Sequence, residues 1–165
     1  MTVQLRGIGD VVAAEDLVSG QFYHMRHHDA KTTLLQVIEE EQPEGIVKWA
    51  LEFREHSDGG ARLDEIYDGM MYVEVPNVHI RIEPTSFAGD SYSTSSHAGM
   101  LLVGGGAVIL LATPPRNYGW ISVDLMTGKI VRKQPTEWAW FSRWSLVTDD
   151  ADEEKELFGY DLPRR

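Results

Sequence analysis

The stretch VKWALEFR, residues 47–54, decides the fold class, because an apolar side chain stands at every second position. Residues 78–83, VHIRIE, repeat that alternation, and the segment 138–146 holds three tryptophans and a leucine on one parity. Successive side chains of an extended chain point to opposite faces, so each run predicts a strand with one buried and one solvated face. The sequence therefore predicts a mainly β protein, either an antiparallel β-sandwich or a partly open β-barrel.

The length of 165 residues suits one domain, which at this size buries roughly 70% of the surface that its unfolded chain exposes. We expect a single antiparallel β domain over residues 1–148 and a short acidic C-terminal helix or tail over residues 149–165. Thr148 or Asp149 would cap that helix, and Gly159 would end it.

Residues Leu34 to Glu55 are open to two interpretations. Apolar positions such as Leu34 and Ile38 fit helical spacing, and the glutamates that follow are good helix formers. Pro43 and Gly45 interrupt that pattern at its middle and form a strong turn signal. We expect a hairpin, with a helix as the alternative.

The charge balance argues against several kinds of partner. The chain carries 15 Lys and Arg against 26 Asp and Glu, a net charge of −11, which repels nucleic acid and anionic membranes at long range. There is no cysteine, which excludes disulfides, thiolate zinc sites and cysteine nucleophiles. Residues 1–6 lack the pattern of a signal peptide, and the most apolar stretch, residues 98–112, is too short to cross a bilayer. We expect a cytoplasmic or particle-associated protein.

The motifs that could carry chemistry favour structural roles. His24 and His28 would lie about 13 Å apart on one strand face, so a single metal ion cannot join them, and His27 points the other way. Gly104–Gly106 are followed by β-type residues rather than by the helix that a phosphate-binding loop requires, which predicts a turn between buried strands. No serine stands in a strained elbow. We therefore predict no catalytic, cofactor or metal site, and a protein that is not an enzyme.

An aromatic set is the candidate interaction site. Aromatic rings on one face of a strand pack into a core in many proteins, whereas Trp, Tyr and Arg also concentrate binding energy at protein interfaces. The sequence leaves both roles open for Trp138, Trp140, Arg143 and Trp144, together with Tyr118 and Trp120 nearby.

These observations favour a non-enzymatic structural or protein-interaction subunit of a larger assembly, such as a virus or phage particle. Its partners would be other protein subunits, either copies of itself or different chains. One alternative is an acidic inhibitor or decoy that binds a basic surface of a nucleic-acid-handling enzyme, with binding that weakens as salt rises. A further alternative is a small-molecule-binding β-barrel or hydrolase, with a cavity that holds polar groups such as His79, Arg81 or Tyr72.

Overall fold

The computed structural model describes residues 8–26, 31–54, 60–90, 97–116, 119–150 and 152–161, and these residues form a mainly β protein. Two short 3-10 helices, Ala14–Asp16 and Pro84–Ser86, interrupt the strands. The strands of the described ranges are β1 Val11–Ala13, β2 Phe22–Arg26, β3 Thr32–Gln42, β4 Gly45–Phe53, β5 Ala61–Glu65, β6 Met71–Val75, β7 Val78–Ile82, β8 Phe87–Asp90, β9 Leu101–Gly104, β10 Ala107–Ala112, β11 Ile121–Asp124, β12 Lys129–Ile130, β13 Ala139–Phe141, β14 Arg143–Asp150 and β15 Glu153–Asp161.

Most strands belong to one large sheet in the order β1-β6-β2-β3-β12-β11-β10-β9-β13-β8. The sheet branches at β3, because β4 pairs with its other edge and carries β5 in turn. An isolated parallel bridge between Arg62 and Thr113 joins the end of β10 to β5. A smaller sheet has the order β15-β14-β7, and neither sheet closes on itself over the described residues.

The main core lies where the smaller sheet packs on the larger one. Trp144, Leu146 and Phe158 of the smaller sheet share one buried cluster with side chains from both arms of the larger sheet. The larger-sheet members of that cluster are Phe22, Leu34, Ile38, Leu51, Phe53, Ala61, Leu63, Val75, Leu101, Leu110, Ala112 and Val123, with Leu125 beside them. Two smaller clusters cover parts of the opposite face of the larger sheet.

The structure confirms the predicted hairpin in the segment that begins at Leu34. β3 and β4 pair antiparallel from Leu34 opposite Phe53 to Gln42 opposite Gly45. The turn at residues 43 and 44 is short, and Gly45 has φ of 139°, a value that side chains of L-residues rarely adopt. Glu55, the last residue of the predicted segment, lies outside the described residues.

The structure also confirms the turn predicted at the triple glycine. Gly104 pairs with Ala107 at the end of the β9–β10 hairpin. Gly105 and Gly106 form the turn with φ of 58° and 76°, which is the two-residue geometry with positive φ that favours glycine.

The predicted C-terminal acidic helix is wrong, because residues 153–161 form β15. This strand pairs antiparallel with β14, which itself runs through the predicted boundary at residues 148 and 149. Phe158 is buried, and its ring centroid lies 5.5 Å from that of Phe53 and 5.7 Å from that of Trp144. Burial of the apolar residues near the end of the strand outweighs the helix propensity of the glutamates at its start.

Candidate interaction surface

The structure divides the predicted tryptophan set between two core clusters. Trp144 is buried between the sheets and lies against Phe53 and Phe158. Trp140 is buried on the opposite face of the larger sheet, in the cluster that contains Leu102, its partner across β9. Both rings therefore serve as core in this chain.

The other described members of the set, Trp138, Trp120 and Arg143, are more exposed. Trp138 is half-buried against the Trp140 cluster, and Trp120 is 44% exposed. Arg143 forms an exposed ion pair of 3.2 Å with Asp161 on the neighbouring strand. Tyr118 lies outside the described residues. An interface role for this set remains a prediction.

The polar residues named for a possible cavity do not converge. His79 pairs with Asp149 at 3.0 Å on the outer face of the smaller sheet, where Arg81 pairs with Glu154. Tyr72 is buried on the larger sheet and donates a hydrogen bond of 2.8 Å to the carbonyl oxygen of Tyr67. The described residues hold no group of three or more His, Asp or Glu that could bind a metal ion, and His27 and His28 fall outside them.

Glu52 on β4 is a fully buried carboxylate that the sequence pattern did not identify. It forms an ion pair with Arg54. Its charge also helps to raise the pKa of Tyr72, for which burial is the larger cause. The Glu52 side chain is fully buried whereas that of Arg54 is 46% exposed, and general acid–base catalysis needs groups that can reach a substrate.

An exposed apolar surface lies on β1, β6 and β2, at one end of the larger sheet. Val11 stands opposite Val73 and Ala13 opposite Met71, and Val73 is also opposite His24 on β2. Residues directly opposite each other in antiparallel strands point to the same side of a sheet. These five side chains therefore share one surface, which we call the β1–β6–β2 face.

The β1–β6–β2 face continues the main core beyond the smaller sheet. Phe22 and Val75 lie on the same side of β2 and β6 and are buried in the main cluster. Farther along the same side, Val11 is 55% exposed and Met71 is 58% exposed. The apolar face thus extends past the part of the sheet that the described residues cover.

Basic side chains border this face. Arg26 follows His24 by two residues on β2, so it lies on the same side, and it is exposed. The pKa of the half-buried His24 is lowered, first by burial and second by the ammonium group of Lys155 on β15. Within the described residues neither Arg26 nor Lys155 forms a salt bridge.

The side of β1, β6 and β2 that forms this face carries no carboxylate. Glu74 of β6 stands opposite Tyr23 and points to the other side of the sheet. The full set on the near side is Val11, Ala13, Met71, Val73, Val75, Phe22, His24 and Arg26. In a chain with a net charge of −11, the β1–β6–β2 face is a local reversal of charge.

Comparisons of the chain with protein-family models, with curated protein sequences and with solved structures find no match. No helix in the described part of the chain is long and apolar enough to cross a membrane.

Proposed function

We propose that the protein is a non-enzymatic interaction subunit that binds another protein chain through the β1–β6–β2 face. The observation that carries the proposal is the exposure of Val11 and Met71, which are diagonal neighbours across the β1–β6 pair. They lie on a sheet face that is buried core a few residues away. Contiguous apolar surface with a polar border is typical of binding sites for other proteins.

The position of β1 supports the same function. β1 is the end strand of the larger sheet, so one of its edges has no β partner among the described residues. An open edge beside an apolar face is the arrangement to which a partner chain adds in β-strand addition. Full burial of an apolar side chain is worth about 1.5–3 kcal/mol, so covering the exposed halves of Val11 and Met71 would contribute roughly 2 kcal/mol.

The acidic residues of the smaller sheet give less support to a decoy function. Its outer face carries several carboxylates, and those in the following pairs already contact a basic side chain of the same face. The pairs are His79 with Asp149, Arg81 with Glu154 and Glu156, and Arg143 with Asp161. A decoy for a basic surface needs carboxylates that are free to bind it.

A display library of random peptides, selected on the purified full chain, tests the proposal. Selected peptides are then measured on Val11→Ser, Met71→Ser and the control Met126→Ser, which changes a methionine that is 65% exposed in the turn after β11. We expect the first two variants to weaken binding about tenfold each, a loss of about 1.4 kcal/mol, and the control to leave it unchanged.

Peptides that bind all three variants like the native chain would contradict the proposal, as would a selection that returns no binder. Circular dichroism and thermal melting check that the variants fold, and exposed substitutions of this kind change stability by about 0.5 kcal/mol or less.

A further inference from the structure

On the basis of the proposed function, we propose that the partner at the β1–β6–β2 face is a short acidic and apolar segment of a different protein chain. Its apolar side chains would cover Val11 and Met71, and its carboxylates would lie against Arg26 and Lys155.

The pattern of ion pairs supports this choice of partner. Acids outnumber bases by 26 to 15 in the chain, and four arginines of the described residues are paired with carboxylates: Arg54, Arg81, Arg116 and Arg143. Arg26 and Lys155 have no such partner in the described part of the chain although acids are in excess. The same holds for Arg62, Arg132, Lys48, Lys129 and Lys133, so it is their place beside the exposed apolar face that distinguishes Arg26 and Lys155. A bound carboxylate would supply the missing counter-charge, and the guanidinium of Arg26 offers it two parallel hydrogen bonds.

The spacing of the face sets the size of the segment. Neighbouring strands lie about 4.8 Å apart, so β2, which carries Arg26, is about 10 Å from β1, which carries Val11. Met71, on β6, lies between them. Three or four residues of an extended chain span that distance, so one carboxylate and two apolar side chains within a short segment would reach all three positions.

The net charge of the chain selects against longer anions. A nucleic acid or an anionic membrane presents negative charge over many Debye lengths. The net charge of −11 on the whole chain therefore repels it. A short segment interacts mainly with charges inside about 8 Å, the Debye length at physiological salt. Around this face the described charged groups are the bases Arg26 and Lys155 and the acid Glu153 on β15, which leaves one positive charge in excess.

His24 links this interaction to pH. The groups that face it are Arg26 on its own strand, Lys155 and Glu153 on the near side of β15, and the apolar Val73 and Leu34 on the strands at either side. Burial and Lys155 favour the neutral imidazole in the free protein. A carboxylate bound nearby would favour the imidazolium, so binding should take up a proton and strengthen as the pH falls.

The experiment uses two matched display libraries selected on the full chain, one with Asp and Glu and one with Asn and Gln at the same positions. We expect the acidic library to give the binders, and neutral versions of those peptides to bind about tenfold more weakly, as a loss of roughly two charge pairs predicts. Arg26→Gln and Lys155→Gln should each weaken binding about two- to fivefold. Lys133→Gln, which makes the same change in net charge at another exposed position, should have no effect. His24→Gln should remove the gain in affinity on acidification.

The possible outcomes separate the two proposals. Peptides that need Val11 and Met71 but bind Arg26→Gln and Lys155→Gln normally would overturn the acidic partner and leave the proposed function standing. Peptides that ignore Val11→Ser and Met71→Ser would overturn both. A concentration-dependent dimer that Met71→Ser abolishes, measured by sedimentation equilibrium, would show that a second copy of this chain occupies the face and would also overturn the proposed partner.

Discussion

The ring of Tyr160, on β15, lies directly against the α-carbon of Gly60, the residue before β5. A Cβ atom built on Gly60 would come within 2.8 Å of Cε2 of that ring, and Gly60 has φ of +70°. Only a glycine meets both requirements at this position. The contact joins β15 to the larger sheet.

We therefore expect Gly60→Ala to lower the free energy of unfolding by about 3 kcal/mol, from the strain of positive φ together with overpacking against Tyr160. Gly69→Ala is the matched control, because Gly69 has φ of +76° but no heavy atom within 4 Å of a built Cβ. It should lose about 1 kcal/mol, the backbone part alone. Urea denaturation measures both variants, and equal losses would show that the Tyr160 contact is not tight.

Two tryptophans should differ sharply in their effect on stability. Trp144→Ala removes a buried ring from the main core, so we expect it to lower the free energy of unfolding by about 3–5 kcal/mol. Trp120→Ala changes a ring that is 44% exposed, and its effect should be about 0.5 kcal/mol or less. Thermal and urea unfolding test the pair. A small loss at Trp144 would contradict its place between the sheets.

The β3–β4 hairpin could be predicted from sequence because its signals are local. The alternation over residues 47–54 and the turn residues Pro43 and Gly45 act within one hairpin. β15 could not be predicted in the same way. Its first residues are glutamates that favour a helix. The strand is stabilised instead by contacts of Phe158 with Phe53, which is distant in sequence, and with Trp144, which lies on β14.

The common parity of Trp140 and Trp144 was misleading for a similar reason. The chain leaves the larger sheet after Phe141 and enters the smaller sheet at Arg143, with Ser142 between β13 and β14. Two positions of equal parity on one straight strand share a face, but here they lie in different sheets and different clusters. Alternation alone does not reveal where a strand changes sheets.

The β1–β6–β2 face could not be predicted because it depends on which strands become neighbours. β6 inserts between β1 and β2, which are closer to each other in sequence than to it. In the sequence His24 belongs to a histidine cluster, and Val11 and Met71 are far apart. Their common surface follows from the pairing register.

The phenol of Tyr67 should report on its neighbour Asp64. The carboxylate of Asp64, 3.5 Å from the hydroxyl group, is the largest cause that raises the pKa of Tyr67. We expect Asp64→Asn to lower the pKa of Tyr67 toward that of an exposed tyrosine. Ultraviolet absorbance of tyrosinate measures the change, and Tyr67→Phe identifies the titration that belongs to this residue. The same titration curve in Asp64→Asn as in the native chain would remove Asp64 as the cause.

The lowered pKa of His24 should make the fold less stable in mild acid. The unfolded chain binds a proton at this imidazole near its ordinary pKa of 6.5, whereas the folded chain binds it only at lower pH. The stability that the neutral ring contributes is therefore fully present well above pH 6.5. It is lost as the pH falls from there through the lower pKa of the folded chain. We expect the free energy of unfolding to fall less in His24→Gln than in the native chain between about pH 7.5 and about pH 5.5. Urea denaturation at both pH values gives the change in the free energy of unfolding for each protein. Equal changes in the two proteins would show that burial and Lys155 do not favour the neutral ring.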